Sequence, residues 1–227
     1  MQSRVSVVIP ALNEAESIGA VVGSMPWGEI AECIVVDNGS TDGTGDVATA
    51  AGARVVRSPR GYGAACFAGM KAAVETSDVL VFLDGDGSDV IGDLPKIAGP
   101  VLRDEADFVI GSRIRGVREH GSMNVSQVFA AHLIGVLVKL MYGFRYTDMG
   151  AFRAIRRSSL EAMGMTEMTF GWNLEMQVRA VQMRLRIVEV PTDYKCRVAG
   201  ESKVSGNLKA SVKTAWRIFG VLVRTRK

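Results

Sequence analysis

The stretch VLVFLDGDGSD, residues 79–89, decides the fold. Val79, Leu80, Val81, Phe82 and Leu83 form an unbroken apolar run, rich in β-forming side chains and too short for a helix. Such a run predicts a strand buried on both faces, as in a parallel sheet. Asp84, Asp86 and Asp89 follow at once, spaced by Gly85, Gly87 and Ser88, so the chain is expected to turn there. In open α/β sheets the ligand crevice lies at the carboxyl ends of the strands. Carboxylates two residues apart repel one another unless a cation sits beside them, and oxygen-only donors suit Mg2+ or Mn2+. The bland alternative, a solvated Asp/Gly turn, is disfavoured by the buried strand ahead of it.

Similar units recur on either side. Residues 5–9 are a β-branched run ending at Pro10, with a helix beginning near Glu14. A strand over 33–36 runs into DNGSTDG, residues 37–43, whose side chains favour a sharp turn and can cap a helix over 44–51. A strand over 53–57 leads through RGYG, residues 60–63, to a helix of small residues over 64–74, able to lie close to a sheet. A helix over 94–102 and a strand over 107–110, ended by Gly111, Ser112 and Arg113, complete the alternation. The pattern defines a doubly wound α/β fold, a mostly parallel sheet flanked by helices. Beyond Arg118 the character changes. Val128, Leu133, Val136, Leu137 and Leu140 recur at helical spacing over 125–141, a face expected to pack on the domain, with an acceptor pocket or lipid contact as the alternatives. A strand over 151–155, a helix over 172–183, a strand over 185–190 and a last helix over 208–222 follow.

Length and composition fit one soluble-type domain with a tail: 227 residues, 48% hydrophobic and 22% charged. The net charge of +3 is unevenly spread. Residues 195–227 carry nine Lys or Arg against the single acid Glu201, a net +8 that leaves −5 for the preceding 194. The tail is therefore marked for an anionic partner, and no nucleic acid is expected. Cys33, Cys66 and Cys196 are odd in number and widely spaced, which argues for reduced thiols and a cytoplasmic setting. With an apolar strand close to Met1, no signal peptide is expected. The longest stretch free of formal charge, 121–138, is broken by polar residues and is not expected to cross a bilayer.

The ordered segments VSVVIPALNEAESI, VVDNGSTDGT, RGYGAACFAGMKAA, VLVFLDGDGSD, FVIGSR, YTDMGAFRAIRRSSL, GWNLEMQVRAV and IVEVPTDYKCRVAGESK span nearly the whole chain. Together they resemble the family 2 glycosyltransferases of the GT-A fold, and within them the polyprenyl-phosphate sugar synthases. The resemblance implies that Pro10, Leu12, Asn13 and Glu14 border the nucleotide, and that Asp37 hydrogen-bonds the base, with Gly39, Ser40, Arg60 and Gly63 nearby. It puts Asp84 and Gly85 near the ribose and diphosphate, and makes Asp86 the principal metal ligand, with Asp84 and either Ser88 or Asp89 completing the shell. Arg113, Arg197 and Lys203 match positions that face phosphates. It also implies a catalytic domain over 1–200, with a nucleotide-sugar half (1–113) and an acceptor half (114–200), followed by a basic amphipathic helix over 201–227.

The implied reaction is transfer of a hexose from a GDP- or UDP-linked donor to a polyprenyl phosphate, with inversion. A lipid monophosphate is already anionic at neutral pH and needs a basic cradle, here Lys195, Arg197 and Lys203, but no general base. A hydroxyl acceptor would need a carboxylate base, for which Asp148 and Glu175 are the candidates. A sugar nucleotidyltransferase, the third reading, would favour a Gly-rich loop after the first strand, and PALNEAES supplies none. His120, His132, Trp172 and Trp216 read as structural. Leu208, Val212, Ala215, Trp216, Phe219, Leu222 and Val223 recur at helical spacing among basic residues, which suits a peripheral membrane helix or one closing against the chain's own sheet.

Overall fold

A computed structural model describes residues 4–198 and Gly220. The elements run β1 (Val5–Ala11), α1 (Ala15–Gly23), β2 (Glu32–Asp37), α2 (Thr44–Ala50), β3 (Arg54–Arg57), α3 (Tyr62–Ala72), β4 (Val79–Phe82), α4 (Leu94–Leu102), β5 (Phe108–Ser112), α5 (Val125–Tyr142), β6 (Arg153–Arg156), α6 (Arg157–Met163), α7 (Trp172–Gln182) and β7 (Ile187–Pro191). The strands form one seven-stranded sheet in the order β3-β2-β1-β4-β6-β5-β7. All neighbours are parallel except β6, which runs antiparallel to both β4 and β5. Both expected halves thus share one sheet, with β5 of the first half held between β6 and β7 of the second.

Alternation along the strands builds two cores, one on each face. Val8, Ile34, Val36, Leu80, Phe82, Phe108 and Ile155 point to the side covered by α3, α5, α6 and α7. Val7, Ile9, Cys33, Val35, Val79, Val81, Val109 and Ala154 point to the side of α1, α2 and α4. The small residues of α3 do what their size suggests: a Cβ on Gly69 would lie 2.3 Å from the Val8 side chain. The closeness of helix and sheet therefore depends on that glycine.

β1 runs through Pro10 to Ala11, two residues beyond expectation. Proline lacks a backbone N–H and is tolerated only where no ladder partner is needed. Val8 is the last β1 residue in register with β4, and the Asn38 amide donates to Ala11 O on the β2 side. With alternate residues facing opposite neighbours, Pro10 points toward the edge that β4 has already left.

Two expectations for the second half are corrected. The residues of α5 that are buried are Ala131, Ile134, Gly135 and Val138, whereas Leu133, Val136 and Leu140 of the expected packing face are exposed. Gly135 sets this rotation, since a Cβ there would stand 2.2 Å from the Tyr146 carbonyl oxygen. The short helix α6, absent from the sequence reading, follows β6 directly. Apart from Gly220, the predicted helix over 208–222 lies outside the described residues.

Candidate functional site

Register brings the carboxyl ends of β1, β2, β4 and β5 and the amino end of β6 to one edge of the sheet. There β4 gives way to the acidic turn. Gly85 fits against Ile9 and Ile18, where a Cβ would meet both at 3.3 Å, and its carbonyl accepts from Ser17 Oγ at 2.8 Å. Gly87 takes a left-handed φ of 78°, which L side chains rarely adopt. The carboxylates of this turn are largely withdrawn from water, with Asp86 4% and Asp89 8% exposed and Asp84 half-buried. Asp86 Oδ1 accepts from Ser88 N at 2.9 Å and Ser88 Oγ at 2.5 Å, and Asp89 Oδ2 accepts from Asp84 N at 3.1 Å. Burial, then the charges of Asp89 and Asp86, push the Asp84 carboxyl well above the ordinary carboxylate range. Burial raises Asp89 too, against the opposing pull of the Asp84 amide and Arg113. Withdrawn acids that repel one another favour a cation among them.

The segment after β7 crosses this turn. Lys195 N donates to Ser88 O at 2.9 Å, Val198 N to Asp86 O at 3.1 Å, and Arg197 Nη2 to Asp86 Oδ2 at 2.8 Å. Beside it, Arg113 at the end of β5 grips Asp148 through Nε and Nη2, each at 2.8 Å, and through its own backbone N–H at 2.9 Å. The Arg113 guanidinium also lies 4.9 Å from the centre of the Tyr194 ring. Glu189 on β7 accepts from Thr147 N and Oγ1, fixing the residue before Asp148. Arg153, fully buried on β6, has no carboxylate partner among the described residues and instead donates to the carbonyls of Gly150 and Asn173, tying the Asp148 loop to the start of α7.

The family model for glycosyl transferase family 2 matches residues 6–164. This chain belongs to glycosyl transferase family 2. An uncharacterized glycosyltransferase of Mycobacterium tuberculosis is 39% identical over 211 residues, 92% of this chain and 93% of that protein. The undecaprenyl-phosphate mannosyltransferase of Micrococcus luteus is 34% identical over 225 residues, 90% of this chain and 89% of that protein. Among solved structures, glucosyl-3-phosphoglycerate synthase of M. tuberculosis, in complex with Mn2+, UDP-glucose and phosphoglyceric acid, superposes with a TM-score of 0.77 at 22% identity. It covers 99% of this chain and 80% of its own. The fold is therefore GT-A, as the sequence led us to expect.

Within this family 2 fold, the residues implied to bind the donor gather at the described edge. Asn13, in a left-handed conformation, and Ser40 lace the first two turns together: Asn13 N donates to Ser40 Oγ at 3.0 Å, and Thr41 N to Asn13 Oδ1 at 2.9 Å. Asp37 Oδ1 accepts from Ser40 N at 2.8 Å, Glu14 N donates to Thr44 Oγ1, and the Arg60 side chain lies over Gly39. Gly63 has another use. Its amide donates to Thr169 O, and a Cβ would stand 2.3 Å from Glu167 O, so that glycine admits the neighbouring turn. Ser88 likewise spends its hydroxyl on Asp86. Lys203 lies outside the described residues.

Asp148 and Glu175, the candidate bases, are both saturated. Asp148 is 0% exposed and takes four hydrogen bonds from Arg113 and the Met149 amide. Burial alone would raise its pKa, but Arg113 outweighs that and holds it below the ordinary range. Glu175 accepts from Thr166 N and Oγ1, Glu167 N and Arg179 Nε, which likewise overcome burial and lower its pKa. Arg113, Arg153, Glu189 and Tyr194 support the site. Of these, sequence reading found only Arg113, and the Asp, Gly and Arg of TDMGAFR were the sole signal for Arg153.

Proposed function

We propose that this family 2 glycosyltransferase moves a hexose from a nucleoside-diphosphate sugar to a polyprenyl phosphate, inverting the anomeric centre. The mannosyltransferase likeness supports the acceptor class. The observation that carries the reading is that both carboxylates able to serve as a base are locked in hydrogen bonds with lowered pKa values, while arginines border the acidic turn. An acceptor that arrives as an anion needs no proton removed, so the site can lack a free base.

The acidic turn fits a hard divalent ion: its donors are all oxygen, they are sheltered from water, and burial with neighbouring negative charge raises the pKa of Asp84 and Asp89. Asp84, Asp86 and Asp89 would hold Mg2+ or Mn2+, although no group of three or more His, Cys, Asp or Glu among the described residues is already gathered as a metal cluster. When bound, such an ion supplies Lewis-acid stabilisation of the departing diphosphate. Arg197 already pairs with Asp86 and would be the cation next to the leaving group. Arg113, held by Asp148, presents a fixed positive charge that requires no reorganisation during reaction. In the step itself, a phosphate oxygen of the acceptor bonds to the anomeric carbon as the bond to the diphosphate breaks. The electron pair leaves with the nucleotide, and the transition state has oxocarbenium character. No proton changes hands.

The test is incubation of the protein with radiolabelled GDP-mannose or UDP-glucose, with undecaprenyl phosphate in detergent or with phosphoglyceric acid. Label extracted into organic solvent only when the lipid phosphate is present is the expected result. Label confined to a water-soluble glycoside would overturn the acceptor assignment.

A further inference from the structure

The outer face of α5 carries a stripe of large apolar side chains that the fold leaves uncovered. Val125 is 87% exposed, Phe129 68%, Leu133 48%, Val136 41% and Leu140 77%. At about 100° per residue these five fall within an arc of roughly 80°, directly opposite the buried Ala131 and Val138. Exposed Lys139 and His132 flank one side of the stripe, and no Asp or Glu occurs anywhere in residues 120–147. α5 is also the one helix among the described residues long and apolar enough to cross a membrane, yet its inner side is packed on Tyr146 and α7.

We infer that the outer face of α5 docks on an anionic lipid leaflet, lying in the interface rather than spanning it. The charge pattern selects this occupant. The chain's own tail, residues 199–227, is strongly basic and would meet a surround of the same sign. A second copy would set the same acid-free, basic-edged patch against itself, because a two-fold contact pairs identical surfaces. A leaflet offers both missing parts, an apolar layer for Phe129 and Leu140 and negative headgroups for Lys139 and Arg145.

The position of the helix matches that use. The excursion carrying α5 leaves the sheet just after Arg113 and returns just before Asp148, and the Arg113–Asp148 ion pair closes its base. A leaflet against α5 would therefore lie beside the acidic turn. In purpose the inference rests on the polyprenyl-phosphate reading, but it is tested without acceptor.

The full chain is floated with vesicles of phosphatidylcholine alone, and of phosphatidylcholine mixed with phosphatidylglycerol. The expected result is binding to the mixed vesicles that weakens with salt. Replacing both Phe129→Gln and Leu140→Gln, which leaves the charge unchanged, is expected to lower partitioning roughly tenfold or more. Lys139→Gln should lower it less and reduce the salt dependence. The melting temperature and nucleotide-sugar affinity of the double variant should match the parent, because both side chains are exposed. Equal flotation of parent and double variant, or no flotation of the parent, overturns the inference. So does a parent dimer in sedimentation equilibrium that the double variant loses. Transfer to detergent-dispersed undecaprenyl phosphate without flotation would sink the docking and leave the acceptor reading standing, and flotation without transfer would do the reverse.

Discussion

Asp148 and Glu175 are at least as buried as Asp86 and Asp89, yet the two pairs are neutralised in different ways. The first pair takes hydrogen bonds on every side from arginine and backbone amides, and its pKa values fall. In the acidic turn, Asp86 takes one arginine nitrogen besides the amide and hydroxyl of its neighbour Ser88, Asp89 takes one backbone amide, and like charges crowd Asp84. Burial by itself therefore does not mark a carboxylate for chemistry. What matters is how many donors already satisfy it, since a saturated acid is an anchor and an under-satisfied one has use for a cation.

The largest expected effect that could break this contrast is on stability, at the anchor. Asp148→Ala leaves the Arg113 guanidinium without its carboxylate in a nearly closed pocket, a loss of about 3–5 kcal/mol. Urea denaturation measures it, and a loss under about 1 kcal/mol would mean that Asp148 is no anchor. Asp86→Ala should do the opposite. Turnover should fall roughly 10²–10³-fold through lost charge stabilisation. Stability should change by less than about 1 kcal/mol, because the partly exposed Arg197 contact is lost together with the repulsion on Asp84. Glu175→Gln sits between them. An amide N–H₂ would face the Thr166 and Glu167 amides, which costs about 1.5–3 kcal/mol and loosens the turn packed on Gly63.

The sequence makes one side of this comparison readable. Val79–Phe82 and the Asp/Gly turn after it are local signals: a run of buried residues, then residues that only a turn accommodates. The same holds for Asp37 to Gly43 and for the small-residue helix α3. The Asp148 anchor depends on a partner far along the chain, Arg113, and the Glu175 anchor on the fold of the loop at Thr166 and Glu167 just ahead of its helix, so neither YTDMG nor GWNLEM by itself reveals that these acids are satisfied. The inversion of β6 is hidden for a similar reason, because RAIR alternates identically whether its neighbours run with it or against it. α5 misleads more directly. Its buried face is made by Ala131 and Gly135 as much as by Ile134 and Val138, whereas leucine, valine and phenylalanine occupy the outside, so counting apolar bulk selects the wrong side. Close approach of backbones, not hydrophobicity, decides that rotation.

The smallest effect sharpens the contrast, because the two groups of acids should respond to pH with opposite sign. Asp148 and Glu175 have folded pKa values below their unfolded ones, so their contribution is present above about pH 4 and is lost as pH falls through the lowered values. Asp84 and Asp89 have folded values above the unfolded one. The fold therefore binds their protons more tightly, and the associated stability is lost as pH rises through the raised values. The metal-free protein should melt at a higher temperature near pH 5 than near pH 8, by about 2–4 °C for each kcal/mol involved. Mn2+ added at pH 8 should recover that difference, and in Asp86→Ala it should recover little. A melting temperature flat from pH 5 to pH 8 and indifferent to Mn2+ would mean that the acidic turn carries no unrelieved repulsion, and its distinction from the anchors would vanish.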